Sequence, residues 1–140
     1  MTKVDFYILS AGSREHTACK LAEKAWSLGH RIYIHTASPA QARHMDELLW
    51  VFREGSFLPH ERYQPGRDCN SPILVGSDEA PDTDSDVLIN LANDVPLFFS
   101  RFLRVAEVIG ADNGARHSGR ERFRFYRDRG YPLDNHELKG

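Results

Sequence analysis

The sequence predicts a three-layered α/β domain built on a parallel sheet, and three observations carry that prediction. Short apolar runs rich in β-forming residues alternate with longer stretches of helical spacing from the first residues onward. The connections between them are short, which in a strand–helix–strand unit implies parallel strands joined by a right-handed crossover. Two later runs, Pro72 to Gly76 (PILVG) and Val87 to Leu91 (VLINL), are apolar without alternation, as strands covered on both faces must be.

Taken in order, Val4 to Leu9 (VDFYIL) reads as the first strand and runs into the small, polar SAGS. Ser13 is placed to cap a helix from Arg14 to Leu28, in which Thr17, Ala18, Leu21, Ala25 and Leu28 recur at helical spacing. Gly29 supplies its stop. Arg31 to His35 (RIYIH) is the second strand. Ser38-Pro39 opens a second helix, serine as cap and proline at the first position, with Ala42, Met45, Leu48, Leu49 and Phe52 on one side. Ser56 to His60 (SFLPH) is brief and extended, because the residue before a proline avoids the helical region. Residues 61–71 have turn chemistry and read as an exposed loop, and PILVG is the third strand. Ser77 to Asp86 is acidic and turn-forming, and VLINL is the fourth strand. Residues 94–102 suggest a short helical turn with aromatics facing inward. Arg104 to Ile109 is a fifth strand, and Gly110 to Asn113 turns the chain into a last helix that Gly130 ends. No repeat or linker divides the chain, so residues 1–140 are expected to form a single domain.

Composition narrows the function less than the fold. The chain is 41% hydrophobic and 27% charged with a net charge of −2, so no global field points to nucleic acid or a membrane. No run approaches the ~20 apolar residues of a membrane-spanning helix, and the N-terminal apolar run is too short for a signal peptide; a cytoplasmic location is expected. Cys19 and Cys69 stand far apart in no metal or redox spacing, and read as one small buried residue and one loop residue.

The familiar catalytic and ligand motifs fail one by one. The loop after the first strand holds one glycine, Gly12, and neither phosphate-binding glycine fingerprint, so a nucleotide would lack close backbone approach. Asp82, Asp84 and Asp86 have the spacing of half a calcium loop, but Val87 stands where glycine is needed and Asn93 where the closing glutamate belongs. The seven histidines form no i,i+4 pair and no Cys/His cluster. No nucleophile elbow is present. Neither an enzyme nor a metal or other cofactor is expected.

Charge, in contrast, is unevenly placed. From Arg116 to the C-terminus the net charge is +3, against −5 for the first 115 residues. On a helix from Asn113 to Arg129, Arg116, Arg120, Phe123, Arg124 and Arg127 fall within an arc of about 100°. Phe125 points to the opposite side and Tyr126 to a flank, so these two are the expected core anchors. Arg122 and Arg129 are placed at the far edge, screened by Glu121 and Asp128. A guanidinium row around an aromatic suits a ligand both anionic and apolar, since arginine offers a planar donor fork and also stacks on rings. A solvated face without function is the competing reading. Nucleic-acid backbone and an acidic peptide with its terminal carboxylate are the two ligand classes that fit.

Several stretches in the same order and spacing make the whole chain resemble the chi subunits of bacterial DNA polymerase III holoenzyme. They are VDFYIL, LAEKAWSLGHRI, HMDELLW before SFLPH, DVLINL, and RERFRFYR followed by Gly130-Tyr131. The resemblance implies a Rossmann-like central sheet and a non-catalytic adaptor. Such an adaptor links the clamp loader to single-stranded DNA-binding protein (SSB) by gripping the acidic SSB tail, which ends in Pro-Phe. The positions matching the family's tail pocket are Arg116, Arg120, Phe123, Arg124 and Arg127, with Ile109 as part of its wall. Arg116 and Arg124 stand where relatives can carry lysine, and Phe123 where they can carry tyrosine. The family's second partner, the psi subunit, binds around the second helix, where Trp50, Phe57 and Pro59 match; for Trp50 and Phe52 a plain core role is the alternative. The resemblance thus implies a monomer or a heterodimer with psi that reaches DNA only indirectly. Direct binding of single strands by the arginine-rich helix is the rival function. It calls for aromatics spread along a positive groove, which the overall charge of −2 does not favour.

Overall fold

The computed structural model describes residues 1–55, 57–66, 68–77 and 85–139. In chain order the elements are β1 (Lys3–Leu9), α1 (Arg14–Ser27), β2 (Ile32–His35), α2 (Pro39–Val51), β3 (His60–Arg62), β4 (Ile73–Gly76) and β5 (Val87–Asn90). A 3-10 turn (Phe99–Arg101), β6 (Arg104–Ile109), α3 (Asn113–Asp128) and β7 (Leu133–Leu138) complete the order. The strands form one sheet, β3-β4-β2-β5-β6-β1-β7, and every pairing in it is parallel. The expected three layers are present. Helices α1 and α2 cover one face through Ala18, Ala22, Met45 and Leu49, while Phe99, Phe102 and Tyr126 cover the other.

The helix starts follow from the sequence. Ser13 accepts a hydrogen bond from the His16 amide, Ser38 from that of Gln41, and Asp112 from that of Ala115, each satisfying an amide of the first turn that has no partner within the helix. The inner strands β2, β4 and β5 are buried almost throughout, which explains their unbroken apolar runs.

Two strands beyond the expected five close the edges. β3 falls partly within the stretch read as loop, and β7 occupies the C-terminal segment. Both escape sequence reading for the same reason: they are edge strands held by backbone pairing, and HER and LDNHEL have no apolar periodicity to betray them. The acidic stretch 78–84, including two of the three aspartates in the calcium-loop spacing, lies outside the described residues. Asp86, just after it, bonds His30 Nδ1 at 2.6 Å and the Arg31 amide at 2.7 Å. Cys19 and Cys69 are free and buried, and burial pushes the Cys19 thiol up to about 12. Among the described residues no helix is long and apolar enough to cross a membrane.

Asp5 fastens β7 to its neighbours. Its carboxylate lies 2.9 Å from Arg104 Nη2 on β6 and 3.0 Å from His136 Nε2 on β7. Burial alone would raise this carboxyl, but the bonds from His136 and Arg104 and the charges of Arg104 and Lys3 hold it below its ordinary value. A depressed carboxyl contributes stability above its unfolded pKa and loses it as pH falls through the folded value. Asp5→Asn is therefore expected to lower the melting temperature at neutral pH, and the gap from wild type should narrow as pH drops below 3.8. A gap independent of pH, measured by thermal melts from pH 7 to pH 3, would contradict this.

Candidate functional site

A buried polar contact joins the aromatic packing in orienting helix α3. Glu107, on β6, is fully buried and accepts from Arg122 Nε at 2.9 Å, Tyr126 Oη at 2.7 Å and Asn90 Nδ2 at 3.0 Å. Arg122 also donates to the Asn93 carbonyl at 3.0 Å and to Ser118. Burial pushes the Glu107 carboxyl up, while the Arg122 charge and the bonds from Asn90, Tyr126 and Arg122 pull the other way. Arg122 is thus not at a screened outer edge, as the helical wheel places it, but is 4% exposed and faces the sheet. The buried sector of α3 is Gly119, Arg122 and Tyr126. Tyr126 is a core anchor as expected. Phe125 is only half-buried, edge-on to Phe99, with the Arg129 guanidinium 3.6 Å from its ring centroid. The wheel missed this orientation because it treats every arginine as solvent-seeking. The available signal was Glu107 itself, a carboxylate inside a core strand that required a buried donor.

With α3 held this way, a cleft of about 380 Å³ opens between the helix and the β1–β7 edge of the sheet. Phe6, Ile8 and Ile109 give it an apolar floor. The α3 side is Arg116, Gly119, Arg120, Phe123, Arg124 and Arg127, and Asn135 of β7 also lines it. The six residues that the sequence reading assigns to a tail pocket are therefore brought together around one cleft. Phe6, Ile8, Gly119 and Asn135 were not foreseen. In the sequence Phe6 and Ile8 read only as part of a strand, and Asn135 belongs to β7, which has no apolar pattern to mark it. Phe123 does not stand free among the guanidinium groups: it is half-buried, edge-on to Phe6 with ring centroids 5.3 Å apart.

The four guanidinium groups differ in what holds them. Arg116 is anchored to backbone, with Nε 3.1 Å from the Ala111 carbonyl and Nη2 3.3 Å from that of Leu9. Arg124 pairs with Glu121 at 2.7 Å and Arg127 with Asp128 at 3.2 Å, both pairs well exposed. Exposed pairs of this kind are worth ~1 kcal/mol or less, so a ligand anion can displace them. Arg120 is exposed and makes no side-chain hydrogen bond or ion pair among the described residues. Chemically, the cleft offers one unengaged donor fork, one fork locked in place and two exchangeable ones above an apolar floor.

A second exposed feature lies at the opposite edge of the sheet. Trp50 is 51% and Phe57 65% exposed, with ring centroids 5.5 Å apart. The Trp50 ring also lies 4.4 Å from that of His60, which hydrogen bonds to the Leu58 carbonyl at 2.6 Å and the Asp46 carbonyl at 3.1 Å hold in place. The core alternative therefore fails for Trp50 and holds for Phe52, which is half-buried against the α1–α2 cluster. Pro59 is half-buried beside them. β3 and β7 are the two ends of the sheet, six strand spacings or about 29 Å apart.

Comparison with known proteins agrees with this architecture. The chain of the crystal structure of T4 UvsW superposes with a TM-score of 0.75 over 99% of this chain and 42% of that one; at 10% identity the likeness is one of fold alone. DNA polymerase III subunit chi of Pseudomonas aeruginosa is 42% identical over 99% of this chain and 98% of its own length. The corresponding subunit of Escherichia coli is 26% identical over 96% and 97%. The family described as "DNA polymerase III chi subunit, HolC" matches residues 1–134. With nearly its whole length matched, the chain belongs to the DNA polymerase III chi subunit family, and so to the accessory proteins of replication.

Proposed function

We propose that this chain is a single-domain, non-catalytic adaptor with a docking site at each edge of its sheet. The α3 cleft takes the acidic C-terminal tail of SSB, and the Trp50–Phe57 patch takes psi, which joins the chain to the clamp loader in the cytoplasm. The observation that carries the first assignment is Arg120: an unengaged guanidinium at the wall of a cleft with an apolar floor. A terminal carboxylate can bind that fork while the ring beside it enters the space above Phe6, Ile8 and Ile109. Arg124 and Arg127 would exchange their own carboxylates for the aspartates further up the tail. Separation of the two sites by the width of the sheet lets both partners bind at once.

The tail assignment is tested by competition. An acidic peptide ending in Pro-Phe should displace a labelled copy of itself, whereas an oligonucleotide of equal charge should not. Displacement by the oligonucleotide at comparable concentration would favour single-strand binding instead. The geometry favours the peptide, because the ring that lines the cleft beside the arginines, Phe123, is half-buried and edge-on to Phe6 rather than one of several rings spread along a groove. For the psi patch, Trp50→Ala and Phe57→Ala are each expected to weaken psi binding at least tenfold, since exposed aromatics at the centre of a docking surface dominate its energy. An unchanged titration with both variants would remove that assignment.

A further inference from the structure

We infer that Gly119 determines the preference of the cleft for a ring at the end of its ligand. The inference rests on reading the cleft as a receptor for a peptide end. Gly119 is buried in the second turn of α3 and lines the cleft between Arg116, Arg120 and Phe123. A Cβ added there would lie 2.9 Å from Ile109 Cδ1, 3.0 Å from Cγ2 and 3.2 Å from Cγ1. The first of these is closer than real Cβ atoms come and the other two are tighter than most, so the helix rests this near the Ile109 side chain because residue 119 has none. Ile109 is also part of the cleft floor. Any side chain at 119 must therefore displace Ile109 on that floor or shift α3, the wall of the cleft, and either movement alters the space a ring would fill. No backbone reason requires glycine here: Gly119 lies within a regular helix and its φ is not positive. Alanine is the better helix former, so the substitution does not weaken α3 through propensity. The arginine forks project from the wall on neighbouring positions, and the carboxylate contact survives a change that alters the floor. Position 119 thus acts on the ligand's last side chain and leaves its charge to the arginines.

The test uses three acidic peptides with free C-termini, identical except for phenylalanine, alanine or tryptophan at the last position, titrated calorimetrically. Wild type is expected to prefer the phenylalanine peptide to the alanine peptide at least tenfold. Gly119→Ala should weaken that peptide at least tenfold and leave the alanine peptide within threefold, so that the preference collapses. Adding Ile109→Ala to Gly119→Ala removes all three atoms the new Cβ would meet, and should restore part of the preference. A Gly119→Ala protein that keeps the wild-type preference overturns the inference, as does a double variant that recovers none of it. A wild type that binds the phenylalanine and alanine peptides alike overturns the pocket reading itself, and is thereby distinguished from failure at position 119. Ile109→Ala alone, with glycine kept, provides an arm that does not depend on Gly119→Ala folding. It deepens the floor and should shift preference from a phenylalanine to a tryptophan end; no shift counts against the inference.

Discussion

Arg122→Ala is expected to destabilise the protein by about 3–5 kcal/mol, the usual cost of removing one member of a buried ion pair. The cause is what remains. Glu107 would keep its carboxylate at zero exposure with donors only from Asn90 and Tyr126, its charge uncompensated. For a chain of this size the loss corresponds to a fall in melting temperature of ten degrees or more. Glu107→Leu with Arg122→Leu should recover much of that stability, because a buried pair replaced by apolar groups of similar volume is often neutral. Thermal and urea unfolding of the single and double variants would measure both effects. A single variant within about 1 kcal/mol of wild type would mean that Arg122 does not neutralise Glu107. The site should suffer as well, since Arg122 and Tyr126 fix the rotation of α3 and with it the direction of Arg116, Arg120, Phe123 and Arg127.

Arg120→Ala is expected to do the opposite: leave stability alone and remove binding. Arg120 is exposed and holds nothing together, so its melting temperature should match wild type within error. A charge-assisted hydrogen bond contributes ~1.5–3 kcal/mol, so affinity for an acidic peptide with a free C-terminus should fall tenfold or more. Arg124→Ala and Arg127→Ala should cost less, and their cost should shrink as salt rises, because diffuse attraction to the upstream aspartates is screened. An Arg120→Ala protein that binds as wild type does would transfer the carboxylate contact to Arg116, whose fork is already committed to two carbonyl oxygens.

The contrast between these two arginines shows what the sequence could disclose. Short apolar runs marked the five inner strands and helical periodicity all three helices, because burial is nearly continuous in the first and repeats at a fixed interval in the second, and Ser13, Ser38 and Gly130 punctuated them. Helical periodicity also placed Arg116, Arg120, Phe123, Arg124 and Arg127 on one arc, which the structure gathers around one cleft. It could not reveal which arginine is inside. Arg122 is buried by Glu107, fifteen residues earlier, and such pairing leaves no periodic trace. β7 escaped for a related reason: its ladder with β1 is backbone, and its anchor is the long-range contact of His136 with Asp5. Asn135 was lost along with it. Phe6 and Ile8 illustrate a further limit. An apolar residue in a strand reads as core whether a helix covers it or a cleft leaves it open.

The most direct test of the peptide-end receptor is to titrate the wild-type protein with one acidic peptide ending in Pro-Phe as the free acid, and with the same peptide amidated. Binding of the free acid is expected to be at least tenfold tighter than that of the amide, with the difference abolished in Arg120→Ala. Equal affinity of the two peptides for the wild type would contradict this.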